Sequence, residues 1–155
     1  MAADDGETSH LRGLRSIVLS NLEYQHYWTD IKTLDTLADL DQNAQADPLS
    51  RPMIYGRPPD QLYNPEPAAA TTSSADASQS QKPAAEMEYV LPVHLTEKLT
   101  LRQWAAIFDT LPTPPPSTAA GSDGREKRIV VAVISGDSTV VYYIMHDGIV
   151  KPRQN

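Results

Sequence analysis

The sequence predicts an α/β fold, with helices packed on a mixed or antiparallel β-sheet, and three features predict it. Two runs near the C-terminus, "RIVVAVI" and "TVVYYIMH", are dense in β-branched and aromatic residues, which suit a pleated, packed surface. Two other stretches, "SHLRGLRSIVLSNLEYQHYW" and "TLRQWAAIFDTLP", repeat apolar residues at helical spacing. Between them lie segments of Ala, Ser, Thr, Gln and Pro with too few apolar side chains to offset the entropy of ordering. The expected organisation is a single domain over 9–155, after a disordered 1–8. Flexible insertions are expected at 36–50 and 64–85, and a mobile loop at 112–127.

In the first helix Leu11, Leu14, Ile17, Val18 and Leu22 form one stripe, with Thr8 or Ser9 as its cap. Tyr24, Tyr27 and Trp28 follow, and Trp28 is expected to anchor the helix on the sheet. "TDIKTLDTL" admits a strand. "RPMIYGRPPDQLYNP", with its prolines, reads as an extended segment lying across a surface. "EMEYVLPVHL" alternates as a strand near a sheet edge, because Pro92 cannot donate a ladder bond. Thr100 and Gln103 make a capping box for the second helix, whose face is expected to carry Leu101, Trp104, Ala105, Phe108 and Leu111. The chain then ends in a three-strand meander. "RIVVAVI" is a strand buried on both faces, Ser135–Ser138 a turn and "TVVYYIMH" the next strand. Asp147-Gly148 is a type I′ hairpin signal, and "IVKP" is a short final strand.

Composition narrows the chemistry. The net charge is −7, so the isolated chain is repelled by phosphate and poorly suited to grip nucleic acid alone. There is no cysteine, which excludes disulfides, thiolate metal sites and cysteine nucleophiles. The longest strongly apolar run, Ile129 to Ile134, is far short of the roughly 20 residues a membrane helix needs. No Walker loop, HExxH or GxSxG motif occurs. His10, His26, His94 and His146 lack ligand spacing, and no metal or cofactor is expected. His94 and Lys98 are the only acid–base pair to weigh, four residues apart across a loop, and nothing in the sequence fixes a tyrosine near them.

The C-terminal strands raise a different possibility. Tyr142 and Tyr143 are adjacent and so point to opposite faces. A terminal strand that is apolar on both faces needs a cover, either the N-terminal helix or another chain. Asp137, at a loop tip between strong strands, is placed to enter a basic pocket on a partner, or serves the turn alone.

"VVAVISGDSTVVYYIMHDGIVKPRQN", with "LPVHLTEKLTLRQWAAIFDTLP" and "IYGRPPDQLY", resembles the small non-catalytic subunit family of the eukaryotic tRNA-splicing endonuclease, Sen-fifteen type, in its fungal form. The resemblance implies a nuclease-like α/β domain without the catalytic Tyr/His/Lys set, hence no catalytic residues here. It implies that the chain assembles and positions the catalytic subunits that excise introns from precursor tRNA. One catalytic subunit would be held through the C-terminal strands, at Val140, Val141, Tyr142, Tyr143, Ile144 and His146. A second would be held through the loop Ser135, Gly136, Asp137 and Ser138. The tRNA would be met through the heterotetrameric complex, and a homodimer is expected when the chain is isolated. The expected location is the nucleus, with the cytosolic face of mitochondria as the alternative. Two rival readings are an inert adaptor using the same sheet for other partners, and a nuclease using His94 and Lys98. Trp28, Trp104 and Phe108 are the expected core aromatics.

Overall fold

The computed structural model describes residues 3–40, 48–62, 85–112 and 127–147. Helix α1 (Ala3–Tyr24) leads to strand β1 (Thr29–Thr36) and a 3-10 turn at Leu37–Asp39. Strands β2 (Pro48–Arg57) and β3 (Glu88–His94), helix α2 (Leu101–Thr110), and strands β4 (Arg128–Ile134) and β5 (Val140–His146) follow. The five strands form one sheet in the order β1-β2-β3-β4-β5. Only β3 and β4 are parallel, joined through α2, and the other neighbours are antiparallel. The sheet is therefore mixed, and the two helices lie on opposite faces of it.

Alternation along the strands divides the core in two. On one face Leu14, Val18 and Leu22 of α1 bury Trp28, Ile54, Val90, Val130, Ala132 and Ile134. On the other, Ile107, Phe108 and Leu111 of α2 pack on Leu34, Met53, Tyr89, Leu91, Ile129 and Val131. Trp28 reaches the sheet over Gly56, where a Cβ would sit 3.2 Å from Trp28 Cε3 and 3.3 Å from Ile31 Cγ1. A side chain at Gly56 would crowd the indole and Ile31, which would have to give way by a few tenths of an ångström. Phe108 is buried, whereas Trp104 is only half-buried at the rim of the α2 cluster.

Several expectations need correcting. Helix α1 starts at Ala3, so most of 1–8 has helical backbone and Thr8 and Ser9 lie inside the helix rather than at its cap. Much of 36–50 is also placed. Thr36 closes β1, Asp39 Oδ2 accepts from Thr36 N at 2.7 Å and from Asp35 N at 2.8 Å, and β2 begins at Pro48. The "RPMIY" stretch is an inner strand, not a surface strap, because Met53, Ile54 and Tyr55 all find apolar neighbours. Strand β3 is central, not an edge. Its pairing with β2 covers only Ile54↔Val90, Tyr55↔Tyr89 and Gly56↔Glu88. Continuing that register would oppose Pro52 to Pro92, neither of which donates, and the ladder stops before them. Pro92 is thus tolerated at a local split in the sheet. On α2, Leu101 is 88% exposed and Ala105 is exposed; the buried face is Trp104, Ile107, Phe108 and Leu111. The Thr100–Gln103 capping box is present.

Ala85, placed in the expected insertion, is buried, and Lys127, placed in the expected loop, donates from Nζ to Phe108 O at 2.6 Å. The rest of the expected flexible stretches, 41–47, 64–84 and 113–126, lies outside the described residues, as do Gly148 and the final strand "IVKP". Among the described residues the C-terminal unit is the β4–β5 hairpin.

Candidate partner-binding surface

Strands β4 and β5 pair along their whole length, from Ile134↔Val140 to Arg128↔His146. β5 ends the sheet, so its far edge has no neighbouring strand among those described. Register fixes what each side chain of β5 meets. Val140, Tyr142 and Ile144 stand beside Ile134, Ala132 and Val130, on the α1 face. Val141, Tyr143 and Met145 stand beside Val133, Val131 and Ile129, on the α2 face.

The two faces are covered unequally. On the α1 side Tyr142 is half-buried. Its hydroxyl donates to Asn21 Oδ1 at 2.6 Å, and its ring meets His26 edge-on, with centroids 5.1 Å apart. Burial pushes its phenol from 10.0 up to about 12. The fold therefore holds the neutral phenol. That contribution is complete below pH 10.0 and is lost as pH rises through about 12. Tyr142→Phe removes one net hydrogen bond, leaving Asn21 Oδ1 without this donor while its amide still donates to Gln25, and should lower stability by about 1 kcal/mol in a urea titration.

On the α2 side nothing equivalent is seen. Helix α2 sits over β2, and Val141, Tyr143 and Met145 are exposed, Tyr143 by 60%. Ile144, although on the α1 face, also lies beyond the reach of α1 and is exposed. The helix thus covers part of one face, and the other face of β5 is open. Met145 belongs to this open row and is absent from the set expected from sequence. The period-two alternation starting at Val141 was the signal for it. His146 is half-buried opposite Arg128.

The loop between the strands is compact. Ser138 N donates to Ser135 O at 3.0 Å, Ser135 N donates to Thr139 O at 2.9 Å, and Ser138 has φ 66°. This is a three-residue hairpin loop with a left-handed closing residue, a place that favours glycine. Ser138→Gly should raise stability by about 0.5–1 kcal/mol, visible as a higher melting temperature. Asp137 is fully exposed at the tip, yet its carboxylate turns back to accept Thr139 N at 3.1 Å. That backbone N–H holds its carboxyl below the ordinary value of 3.8. The contribution to the turn is present above 3.8 and disappears as pH falls through the lowered value.

The alternative acid–base pair is not assembled. His94 ends β3 with Nδ1 2.8 Å from Thr96 Oγ1, and its ring lies 6.1 Å from that of His10. Its backbone N–H donates to Glu97 at 3.4 Å. Lys98 is exposed in the following loop. Among the described residues neither meets a tyrosine. Among the described residues there is no cluster of three or more His, Asp or Glu able to hold a metal and no helix long and apolar enough to cross a membrane.

A mixed five-stranded sheet, helices on both faces and an open apolar terminal strand define this as a small α/β module. Three similar proteins carry the name of a tRNA-splicing endonuclease subunit. A Neurospora crassa protein called probable tRNA-splicing endonuclease subunit tsp-1 is 39% identical over 169 residues, covering 100% of this chain and 70% of the relative. The Eremothecium gossypii tRNA-splicing endonuclease subunit SEN15 is 29% identical over 149 residues, covering 94% of this chain and 93% of that one. A Schizosaccharomyces pombe protein called probable tRNA-splicing endonuclease subunit sen15 is 37% identical over 73 residues, 45% of this chain and 51% of the relative. The profile of the family described as Sen15 protein matches residues 17–155, and the chain belongs to this family.

Proposed function

We propose that this chain is a structural subunit of the tRNA-splicing endonuclease: it supplies no cutting residues and holds and orients the subunits that do. The reading rests on one observation above the others. β5 is fully paired on one edge, has no neighbouring strand on the other among the described residues, and is apolar on both faces, with Val141, Tyr143, Ile144 and Met145 exposed together. An edge strand of that kind is normally protected by charge, proline or a covering element. Here its completion is assigned to a catalytic subunit, which pairs or packs against β5. The Ser135–Ser138 loop reaches a second catalytic subunit. The chain's contribution to catalysis is geometric, since fixing the spacing of reacting groups lowers the entropic part of a barrier. Tyr142 and His94, engaged with Asn21 and Thr96, serve the fold in this reading. The isolated chain is expected to self-associate through the same strand. The nucleus is the expected compartment, against the mitochondrial surface, and a fluorescent fusion distinguishes them.

The test is co-expression with a candidate catalytic subunit, followed by size-exclusion chromatography and cleavage of an intron-containing precursor tRNA. The expected result is co-elution, with cleavage by the complex and none by this chain alone. Intron excision by the purified chain, or separate elution of the two subunits, overturns the proposal. Asp137→Lys should lower melting of the isolated chain slightly, through loss of the Thr139 N bond, without unfolding it, and weaken assembly of the full complex; unchanged assembly removes the loop from the interface.

A further inference from the structure

A trough runs along the β5 side of α1 for about two turns, roughly 12 Å. It passes from Ser16 and Ile17 through Ser20 and Asn21 to Tyr24, and Ser138 of the hairpin loop stands on its far side. Asn21 also holds the Tyr142 hydroxyl, so the trough borders β5. Its volume is about 450 Å³, but it lies open to solvent, and a small ligand there would stay largely wet. A surface of this shape suits an element of another chain.

Its chemistry is that of an interface centre. Among the described residues that line it, none is charged. Charged residues are depleted where interfaces are fully buried, and tyrosine is enriched. Ile17 and Tyr24 are exposed, Tyr24 by 70%. Asn21 is already engaged, accepting from Tyr142 and donating to Gln25. Covering the trough therefore desolvates no charge and little unpaired polarity.

Size and spacing point the same way. A stable interface takes about 20–30 residues a side, and β5 supplies seven. A subunit bound to β5 must therefore reach surface beyond it. Helix α1 lies mainly on β3 and β2, and β5 is two strands from β3. Two strand spacings are about 10 Å, and packed helices stand about 8–10 Å apart. A helix laid over β5 on this face would thus touch α1 along the trough, where the small side chains of Ser16 and Ser20 let it come close.

We propose that the trough receives a helix of the catalytic subunit that binds β5, a proposal that rests on the reading of β5 given above. The helix lies beside α1. Its uncharged face sets apolar side chains on Ile17 and Tyr24 and small ones against Ser16 and Ser20. The partner then completes both the sheet edge and the helical layer on the α1 face.

The chain has no cysteine, so single cysteines report cover one position at a time. Ser20→Cys, Val141→Cys and Leu101→Cys are each treated with a maleimide, as the dilute isolated chain and in the co-expressed complex. Labelling at Ser20 and Val141 should be lost in the complex, and labelling at Leu101 should not change. A crosslinker attached at Ser20→Cys should reach a helix of the catalytic subunit. Ser20→Trp fills the trough from an exposed helical position. It should weaken the complex about tenfold and leave melting of the isolated chain unchanged. Labelling kept at Ser20 but lost at Val141 overturns the proposal and leaves the reading of β5 standing. Labelling kept at both overturns the two together. Loss at Leu101 as well shows general occlusion and overturns it too. A crosslink to a second copy of this chain, or into a loop or strand of the partner, assigns the trough to another occupant and overturns the proposal.

Discussion

Arg128→Met should destabilise the domain by about 3–5 kcal/mol, since removing one partner leaves a buried charge uncompensated. The parallel register that pairs Val90 with Val130 sets Glu88 beside Arg128. Glu88 is 1% exposed and Arg128 5%, and Arg128 Nε meets Glu88 Oε2 at 3.2 Å with a second contact through Nη2. Glu86 adds a further carboxylate 3.5 Å from the same guanidinium. Against the 5–15 kcal/mol typical of a whole domain, roughly this loss threatens folding at physiological temperature. The double variant Glu88→Leu with Arg128→Met should recover much of it, because an apolar pair removes both desolvation costs together. Urea midpoints at unchanged slope measure both. A single variant as stable as the parent would mean that the pair is wet rather than buried.

Tyr143→Asp should abolish co-elution with the catalytic subunit while costing the isolated chain about 1 kcal/mol or less, the span of strand propensity at an exposed site. Tyr143 is the largest side chain in the open row and lies between Val141 and Met145. Aromatic residues in that position dominate interface energies, and a carboxylate placed there would be buried without a partner on assembly. Leu101→Asp is the control, for Leu101 is still more exposed but sits at the start of α2, away from β5. Loss of assembly in both variants would point to a non-specific effect of added charge. Retention in both would place the interface elsewhere.

The parts of the fold legible in the sequence are those set by local pattern. β4 is an unbroken apolar run because α1 and α2 clusters claim its two sides, through Val130, Ala132 and Ile134 on one and Ile129 and Val131 on the other. The α2 cap is legible because Thr100 and Gln103 satisfy each other's backbone within four residues. Long-range placement is not legible. Pro92 suggests an edge, yet it sits in the central strand, since what removes its neighbour is Pro52, forty residues earlier in the chain. The acidic character of 36–50 suggests disorder and hides the local bonds by which Asp39 caps Thr36. For the candidate surface, the alternation of β5 can be read directly, but which row stays open depends on where α2 lies. The Arg51–Glu97 pair has no local signal at all, as it joins residues brought together only by the split sheet.

Amide hydrogen exchange of this chain, free and bound to the catalytic subunit, tests the central claim most directly. Protection is expected to rise most across Val140–His146, as the edge of β5 that has no neighbour among the described residues gains one. Unchanged exchange in β5, with new protection confined to other elements, would contradict it.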